Sequence, residues 1–387
     1  MLPTPLTAEA LADAGAEADP QSLAAAQRMR RRHSPEIAAA ALDQVVLRWR
    51  AVVKFGDRAA SMFFTRDGLE QATRPAVAAH HARRIAATGA RRVVDLGCGI
   101  GTDALAFAEC GLDVIAVEID EHTAEIARAN VAAQEHPDGR VEVITGDAEE
   151  LAAELIKDDD AVFLDPARRT SAGRLWRTED FLPSWSFVTG LLGSGRPVAV
   201  KLGPALPHRE IPDGVEAEWL TDRGETVEVC LRCGPGSTPD QRSALIMPDH
   251  RMIAGPSSAQ VRAPGRFLYE PDGAVIRAGA IGALAAELSA WLLDDQIAYL
   301  SADELIMTPY AGVFEILDQL PYAEKVLRRW VRDHDIGTVE IKKRGIDIDP
   351  ALLRKRLKPS GSQPATLIIT RTPNGARVLH ARRVRTS

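Results

Sequence analysis

Apolar residues recur at helical spacing through the first 90 residues of the chain. Six of them fall at the i, i+3 and i+4 positions of one helix face: Leu42, Val45, Val46, Trp49, Val52 and Val53. Farther along, Thr65 precedes a polar stretch and then an alanine-rich stretch through Ile85, and threonine is a favourable N-cap residue. The pattern predicts a helical N-terminal region over residues 1–90 that leads into the next domain.

From Arg92 onward, short apolar runs alternate with helical segments. Five runs have the length of strands: residues 93–96, 114–117, 141–144, 161–164 and 198–200. Strands separated by helices are typical of a parallel, doubly wound sheet with right-handed crossovers. Residues 215–233 instead alternate apolar and polar positions around Arg223-Gly224, which indicates an antiparallel hairpin. We therefore predict an α/β fold with a Rossmann-like sheet of seven strands over residues 91–234.

The remainder of the chain has a different pattern. Residues 234–258 are rich in Gly, Pro and Ser, which predicts a connector, and apolar spacing predicts helices over 281–293 and within 314–330. A strand over 338–342, a helix capped by Asp349, a strand over 366–370 and a strand over 377–381 then form a β-α-β-β unit. We predict a linking segment over 235–321 and a small α+β domain over 322–387.

Composition supports a globular protein and indicates the cell compartment in which it works. Of the 387 residues, 45% are hydrophobic and 26% are charged, which excludes a disordered chain or a fibre and suggests two or three domains. Four cysteines make no disulfide framework, and no apolar run approaches the length of a membrane helix. The N-terminus lacks the basic and apolar regions of a signal peptide. We expect a soluble, cytoplasmic protein with no membrane contact.

The net charge of −7 conceals an uneven distribution. Residues 322–387 hold 16 Lys and Arg against 6 Asp and Glu, a net charge of +10, whereas residues 1–321 carry −17. Two basic runs lie in the predicted small domain: Lys342-Lys343-Arg344 at a strand end, and Arg354, Lys355 and Arg356 on the helix. Two such runs in one small unit favour binding of a polyanion, although a single run is usually a solvated surface.

Candidate site residues lie at the ends of the predicted strands, and the first of them surround a glycine-rich turn. A strand ends at Asp95, and Gly97, Gly99 and Gly101 follow in the turn before the next helix, where a backbone can approach a ligand closely. Glu118 lies at the end of the next strand, and Asp147 follows the third. Acidic residues at three successive strand ends indicate a nucleoside-binding site, although the glycines alone are weak evidence.

These motifs together resemble those of class I S-adenosylmethionine-dependent methyltransferases. The resemblance covers roughly residues 60–233 and rests on residues 94–101, 117–120, 146–147 and 165–168 in that order. A dinucleotide dehydrogenase is disfavoured because the loop is Gly-x-Gly-x-Gly and because the fourth strand ends in Asp-Pro. The resemblance implies S-adenosylmethionine as cofactor, with the Asp95 strand end and the three glycines bordering it, Glu118 binding its ribose and Asp147 its adenine. Asp147 could alternatively be a simple helix cap.

Asp165-Pro166-Ala167-Arg168 follows the fourth strand, at the sheet edge where α/β sites lie. The segment resembles the (Asp/Asn)-Pro-Pro-aromatic motif of amino-group methyltransferases, in which the side chain and a backbone carbonyl, here those of Asp165 and Pro166, accept hydrogen bonds from the amine. Positioning of this kind accounts for much of the catalysis. Ala167 and Arg168 depart from the motif, and Arg168 could stack on a base, hold a phosphate or form a structural salt bridge.

A narrower resemblance is to the trimethylguanosine synthase-like branch of RNA guanine-N2 methyltransferases. It rests on Phe64-Thr65 and on residues 98–101 and 162–166. In that branch the threonine segment closes over the cofactor, so the resemblance implies this role for Thr65. The tryptophan that follows the Pro-Pro motif is absent, so cap guanosine does not carry over as substrate. Arg169, Arg174 and Arg177 could line a phosphate path or a solvated loop, and Lys201, which ends the fifth strand, could hold substrate phosphate or cap acidic neighbours.

The basic C-terminal segment resembles the THUMP-like domain attached to such methyltransferases, through residues 339–345 and 367–371. The resemblance implies structured RNA as partner, bound mainly through phosphates. We expect an RNA N-methyltransferase with Asp165, Pro166 and Arg168 at the acceptor. A small-molecule methyltransferase and a non-catalytic RNA-binding protein are the alternatives. No metal is expected, because the cysteine spacing lacks a second pair and His80-His81 fit no ligand or nucleophile pattern.

Overall fold

The computed structural model describes residues 2–133, 139–168, 181–255 and 258–384. Its contacts divide the chain into two units. The N-terminal unit comprises Met1–Ala217 and Glu228–Asp240, and the C-terminal unit comprises Glu218–Val227 and Gln241–Ser387. The predicted loop arginines Arg169, Arg174 and Arg177 lie outside the described residues, as do the side chains of Ala167 and Arg168.

Nine helices of the N-terminal unit lie within the described residues. Thr7, Ser22 and Ser34 cap the first three by accepting a hydrogen bond from a backbone N–H of the first turn. The helices are α1 (Ala8–Gly15), α2 (Leu23–Met29), α3 (Pro35–Phe55), α4 (Arg66–Gln71), α5 (Pro75–Ala86), α6 (Thr102–Glu109), α7 (Glu121–Ala132), α8 (Ala148–Leu155) and α9 (Trp185–Leu192).

The buried face of α3 differs in part from the predicted one. Leu42 and Val45 are buried against α1 and α2, as expected. The prediction is wrong for Trp49, Val52 and Val53, which are 53%, 54% and 78% exposed. The C-terminal half of α3 turns another stripe inward, because Leu47, Ala51 and Phe55 pack on the segment around Phe64.

One sheet has nine strands, two more than predicted, in the order β11-β10-β8-β9-β7-β4-β1-β2-β3, because β10 (Arg242–Ile246) and β11 (His250–Ile253) extend it beyond β8. The first five long strands are parallel to their neighbours, and β9 returns antiparallel to β7. All four residues of β4 are buried, as expected of a strand covered on both faces. The strands are β1 (Arg92–Leu96), β2 (Asp113–Glu118), β3 (Val141–Thr145), β4 (Ala161–Leu164), β5 (Ala167–Arg168), β6 (Phe181–Leu182), β7 (Val198–Leu202), β8 (Glu216–Asp222) and β9 (Glu225–Cys233). The predicted α/β, Rossmann-like fold is confirmed.

The C-terminal unit contains its own sheet of seven strands, in the order β13-β14-β12-β15-β18-β17-β16. It also holds the tip of the β8–β9 hairpin and an antiparallel pair, β10 with β11. Its elements are β10 (Arg242–Ile246), β11 (His250–Ile253), β12 (Phe267–Pro271), α10 (Gly273–Ala278), α11 (Ile281–Glu287), β13 (Trp291–Asp294), β14 (Ile297–Ala302), β15 (Ala311–Pro321), α12 (Glu324–Asp333), β16 (Ile336–Arg344), α13 (Pro350–Leu357), β17 (Gln363–Thr372) and β18 (Gly375–Arg383).

Three parts of this unit differ from the sequence prediction. The connector expected over 234–258 contains the antiparallel strands β10 and β11. The helix expected over 281–293 ends at Glu287, because Ser289 adopts a positive φ of 49° and the chain continues as β13. Alternating burial of Trp291 and Leu293 shows the period of a strand. Helical structure expected from residue 314 begins only at Glu324, since residues 311–321 form β15. The limits of the linking segment and small domain remain predictions.

The β-α-β-β arrangement predicted at the C-terminal end is confirmed. Asp349 caps α13, and β16 and β17 pair in parallel on either side of that helix in the chain. Helices α12 and α13 contribute Leu327, Trp330, Leu353 and Leu357 to one core cluster of the sheet. No helix within the described residues is long and apolar enough to span a membrane.

Candidate functional site

The glycine-rich loop lies between β1 and α6, directly against the residue that follows β4. Gly97, Gly99 and Gly101 have φ values of +93°, +56° and +85°, which L side chains rarely adopt. A Cβ on Gly97 would lie 3.2 Å from the carbonyl oxygen of Asp165. The loop therefore brings two of the predicted sites together, and a side chain at Gly97 would crowd the backbone of Asp165.

Three residues predicted to surround the cofactor accept hydrogen bonds from backbone N–H groups. Glu118 accepts hydrogen bonds from the N–H groups of Gly99 (2.9 Å) and Asp120 (3.0 Å). Asp147 caps α8, and Thr65 caps α4 by accepting from Gly68 at 2.9 Å. The cap that the sequence allowed for Asp147 is thus present, while its contact with adenine remains a prediction.

Asp95 is a buried carboxylate without a hydrogen-bond partner among the described residues. It lies at the end of β1, is only 1% exposed, and both of its oxygens lack a donor. Burial raises the pKa of Asp95 well above its usual range, and the nearby Asp103 and Asp165 add to the effect. An acceptor of this kind beneath the glycine loop fits a cationic ligand, because a buried polar group costs free energy until it is paired.

Asp165 and Lys201 form an ion pair at the ends of β4 and β7. The Lys201 ammonium contacts Oδ2 of Asp165, whose side chain remains 34% exposed. Burial raises the pKa of the Asp165 carboxyl, and Lys201 opposes this rise. Burial likewise lowers the pKa of Lys201, but Asp165, Asp103 and Glu228 together hold it above its ordinary value. Of the two roles the sequence left open for Lys201, the structure thus shows an acidic partner.

A buried polar network next to this pair was missed from the sequence. His81 of α5 is fully buried, and its ring nitrogens lie 3.0 Å from Asp103 Oδ1 and 2.7 Å from Glu228 Oε1. The Thr73 hydroxyl donates to the other oxygen of Asp103. Burial lowers the pKa of His81, but the two carboxylates raise it to about 9, so the ring is a cation at neutral pH.

The available signal for His81 was its place on a helix face. Val77, Ala78 and Ile85 share its buried side of α5, and a histidine among apolar residues requires polar partners. The sequence could not identify those partners, because Glu228 lies 147 residues away. Among the described residues, no group of three or more His, Cys, Asp or Glu side chains is arranged to hold a metal ion.

Two buried amide side chains fix the segment that precedes Thr65. Asn130 accepts from the N–H of Phe63 and donates to the carbonyls of Phe63 and Ile100, which joins this segment to the glycine loop. Gln44 pairs with both backbone groups of Phe64. Neither amide was identified from the sequence, because each lies on a helix face whose spacing shows only that the position is buried.

Helix α4 then lies against the loop. A Cβ on Gly68 would come within 2.5 Å of Ile100 Cγ2, so the helix backbone approaches this loop residue closely. Thr65, predicted to close over the cofactor, is therefore held near Gly97–Gly101. Pro166 is buried after Asp165, and the backbone of Arg168 pairs with Phe181 in the two-stranded β5–β6 ribbon.

The predicted RNA-binding residues of the C-terminal unit lie in different surroundings. Lys342 pairs with Glu270 at 2.6 Å, and Arg344 stacks on Tyr299 at 5.1 Å. Lys343 is exposed on β16, and Arg354, Lys355 and Arg356 are exposed on α13. Helix α12, which packs against α13, adds four exposed cations that lie outside the two predicted basic runs: Lys325, Arg328, Arg329 and Arg332. We call these two helices' exposed cations the α12–α13 basic surface.

Three family models match the chain. One, described as a methyltransferase domain, matches residues 93–164. One described as THUMP domain-like matches residues 311–383, and a domain of unknown function matches residues 2–51. The first match covers β1 to β4 with the glycine loop, and the second covers β15 to β18 with α12 and α13.

Relatives of this chain support the same assignment. An uncharacterized S-adenosylmethionine-dependent methyltransferase of Mycobacterium tuberculosis is 34% identical over 350 residues, which cover 87% of this chain and 93% of the relative. An uncharacterized RNA methyltransferase of Thermosynechococcus vestitus is 36% identical over 85 residues, or 22% of this chain and 18% of that protein.

A solved structure shares the fold across both units. It is the crystal structure of a Porphyromonas gingivalis protein described as a candidate methyltransferase, with a TM-score of 0.81 and 23% identity, covering 97% of this chain and 98% of that one. Asp95 and the glycine cradle fit S-adenosylmethionine, whose ammonium and sulfonium groups are cationic. The chain therefore belongs to the class I S-adenosylmethionine-dependent methyltransferases and carries a THUMP-like domain toward its C-terminus.

Proposed function

We propose that this methyltransferase modifies an amino group of a base in structured RNA. The observation that carries the proposal is the contact between Gly97 and the Asp165 backbone at the ends of β1 and β4. A group held by Asp165 would lie beside the glycine loop. Class I enzymes of this kind need the acceptor and the cofactor in direct contact, because catalysis depends on alignment of the two reacting atoms.

The chain's own residues would hold both reactants. Asp95, Gly97, Gly99, Gly101, Glu118, Asp147 and Thr65 are the proposed cofactor-binding residues. When bound, S-adenosylmethionine supplies an electrophilic methyl group. Asp165 Oδ1 and the carbonyl of Pro166 would accept the two N–H groups of the amine, which directs the nitrogen lone pair away from the base plane. Asp165 is also placed to receive the proton that the nitrogen must lose, since a carboxylate in a partly buried site is a stronger base than in water.

RNA as the substrate class rests on the C-terminal unit. A THUMP domain-like model matches it, and the partial relative from Thermosynechococcus vestitus is described as an RNA methyltransferase. The α12–α13 basic surface offers eight Lys and Arg, counting Lys358, against Glu324 and Asp333. Clustered cations of this type bind phosphates without reading sequence. Lys342, Lys343 and Arg344 could add contacts on β16.

Methyl transfer with labelled S-adenosylmethionine tests the proposal. Purified protein should bind S-adenosylmethionine in calorimetry and should label RNA extracted from cells that lack it. Asp165→Ala should abolish labelling of RNA while cofactor binding persists, since Asp165 is placed on the acceptor side. Labelling of a small metabolite instead of RNA would favour the small-molecule alternative. RNA binding without any transfer would favour the non-catalytic alternative.

A further inference from the structure

Two lysines bind consecutive carbonyl groups at the end of α4. Lys54 Nζ donates to the carbonyls of Leu69 (2.8 Å) and Glu70 (3.1 Å), and Lys201 Nζ donates to the carbonyl of Gln71 at 3.4 Å. The last carbonyls of a helix lack partners within the helix and carry partial negative charge, so cations stabilise them. Lys201 differs from Lys54 because the same ammonium also pairs with Asp165.

Helix α4 is short, and besides these lysines it is held by Leu69, which packs on the cluster around Phe64, and by an ion pair between Arg66 and Asp43. None of its six residues is fully buried, and its packing on the loop depends on the close approach of Gly68 to Ile100. Its first turn is capped by Thr65, the residue proposed to close over the cofactor. Lys201 is therefore bonded at once to the acceptor carboxylate and to the segment that borders the cofactor.

We propose that Lys201 is a positioning residue that keeps Asp165 oriented through Oδ2 and couples it to α4. This inference rests on the proposed function, in which Asp165 binds the acceptor. Oδ1 is then the oxygen left to accept an N–H of the substrate. The ammonium of Lys201 directs two of its three protons to Asp165 and Gln71, which leaves a single N–H for any contact with a substrate phosphate.

The charges around Asp165 predict how the pair responds to pH. Burial raises the pKa of Asp165, and Lys201 is the nearest cation that opposes this rise. The charged groups that face Asp165 come from five elements: Lys201 of β7, Asp103 of α6, Glu228 of β9, Asp95 of β1 and Lys54 of α3. Three of these are acidic, so loss of Lys201 leaves the carboxylate in an environment that favours its protonated form.

The first test is the pH dependence of methyl transfer. In Lys201→Met the acid limb of kcat/KM should move up by about 1–3 pH units, the usual effect of a neighbouring opposite charge. In the same variant kcat at pH 7 should fall roughly 100-fold, as for misplaced reacting groups. Lys201→Arg should restore the limb, and Lys157→Met, at an exposed lysine, is the matched control. An acid limb of Lys201→Met that superimposes on the parent's would overturn the proposal.

The second test does not depend on activity. Hydrogen exchange followed by mass spectrometry should show faster exchange of residues 66–72 in Lys201→Met, and wild-type exchange in Lys201→Arg and Lys157→Met. If the Met variant does not fold, Lys201→Gln keeps an N–H donor of similar length and should shift the acid limb alone. Unchanged exchange in Lys201→Met would refute the coupling to α4. If the wild-type protein fails to methylate RNA, but Lys201→Met still exchanges faster than wild type over residues 66–72, the proposed function is refuted and the coupling to α4 stands.

Discussion

At the scale of single residues, the site consists of charged side chains whose burial costs free energy unless they are paired. His81 stands between Asp103 and Glu228, and Lys201 pairs with Asp165. Asp95 is the exception, because its two oxygens have no donor within the described structure. Pairing therefore separates His81 and Lys201 from Asp95, which we propose as a cofactor-binding residue.

Replacement of His81 should destabilise the protein in a pH-dependent manner. The pKa of His81 in the folded chain, about 9, is above its ordinary value of 6.5. The stabilisation is therefore complete below pH 6.5 and is lost as pH rises through 9. His81→Gln should lower the free energy of unfolding by about 3–5 kcal/mol at pH 6, because two buried carboxylates lose their cation.

Urea unfolding at pH 6 and at pH 9.5 measures this difference. The gap between wild type and His81→Gln should narrow at the higher pH. A gap of equal size at both values would mean that the ring is neutral in the folded protein. His80→Gln, on the neighbouring position of the same helix, is the matched control for the loss of an imidazole.

Replacement of Asp95, unlike that of His81, should weaken cofactor binding without lowering the stability of the protein. Asp95→Asn removes a buried carboxyl that has no donor, so the unfolding free energy of the free protein should not fall. Affinity for S-adenosylmethionine should fall by roughly 10- to 100-fold, the worth of one hydrogen bond to a charged group. Calorimetric titration of both proteins with the cofactor decides the point, and an unchanged affinity would remove Asp95 from the proposed site.

At the scale of elements, much of the N-terminal sheet could be predicted because its strands are short apolar runs and most of them are bounded by glycine. Gly97, Gly99 and Gly101 are recognisable from spacing, and their positive φ values explain that spacing. The predictions failed for elements whose buried residues do not lie on a single periodic face. Leu47 and Phe55 of α3 pack on a segment that comes later in the chain, and β13 is short enough to be mistaken for a helix end.

The surroundings of Asp165 could be predicted only in part. Asp165 was identifiable from its place after a buried strand, whereas its pairing with Lys201 depends on two strands that meet only in the folded sheet. Asn130 and Gln44 had no sequence signal beyond helical burial. Polar contacts between distant segments are specified by the tertiary structure, and local patterns do not encode them.

The glycine loop allows a matched comparison of two substitutions. Gly97 and Gly99 both have positive φ, but a Cβ on Gly97 would lie 3.2 Å from the Asp165 carbonyl, whereas one on Gly99 would meet nothing within 4 Å. Both alanine variants should lose about 1 kcal/mol from the left-handed conformation. Gly97→Ala should lose more in unfolding free energy and should bind cofactor more weakly. Equal losses in denaturant titrations would indicate that the loop is not packed on Asp165.

At the scale of the whole chain, charge is divided between regions. The net charge of −7 suggests little affinity for RNA, but residues 322–387 carry +10, and α12 and α13 expose much of it. The sequence identified the excess charge and the cations of α13. It did not identify those of α12, because the apolar spacing within residues 314–330 does not show where that helix begins.

Charge reversal on the α12–α13 basic surface should weaken RNA binding. The double variant Lys325→Glu, Lys355→Glu should lower RNA affinity and reduce the slope of log affinity against log salt by about one for each lost phosphate contact. Arg30→Glu, Arg31→Glu reverses two exposed charges in the N-terminal region and serves as the control. Filter binding across a salt series compares the two double variants. Equal slopes of log affinity against log salt would place the RNA contact elsewhere.

Nucleoside mass spectrometry tests the central claim most directly. RNA from a strain lacking this protein is treated with the purified enzyme and S-adenosylmethionine, then digested to nucleosides. The account predicts that one base-methylated nucleoside, with the methyl group on an exocyclic nitrogen, is absent from the strain and appears on treatment with wild type but not with Asp165→Ala. A methyl group on a ribose oxygen, or RNA that gains none, would contradict the account.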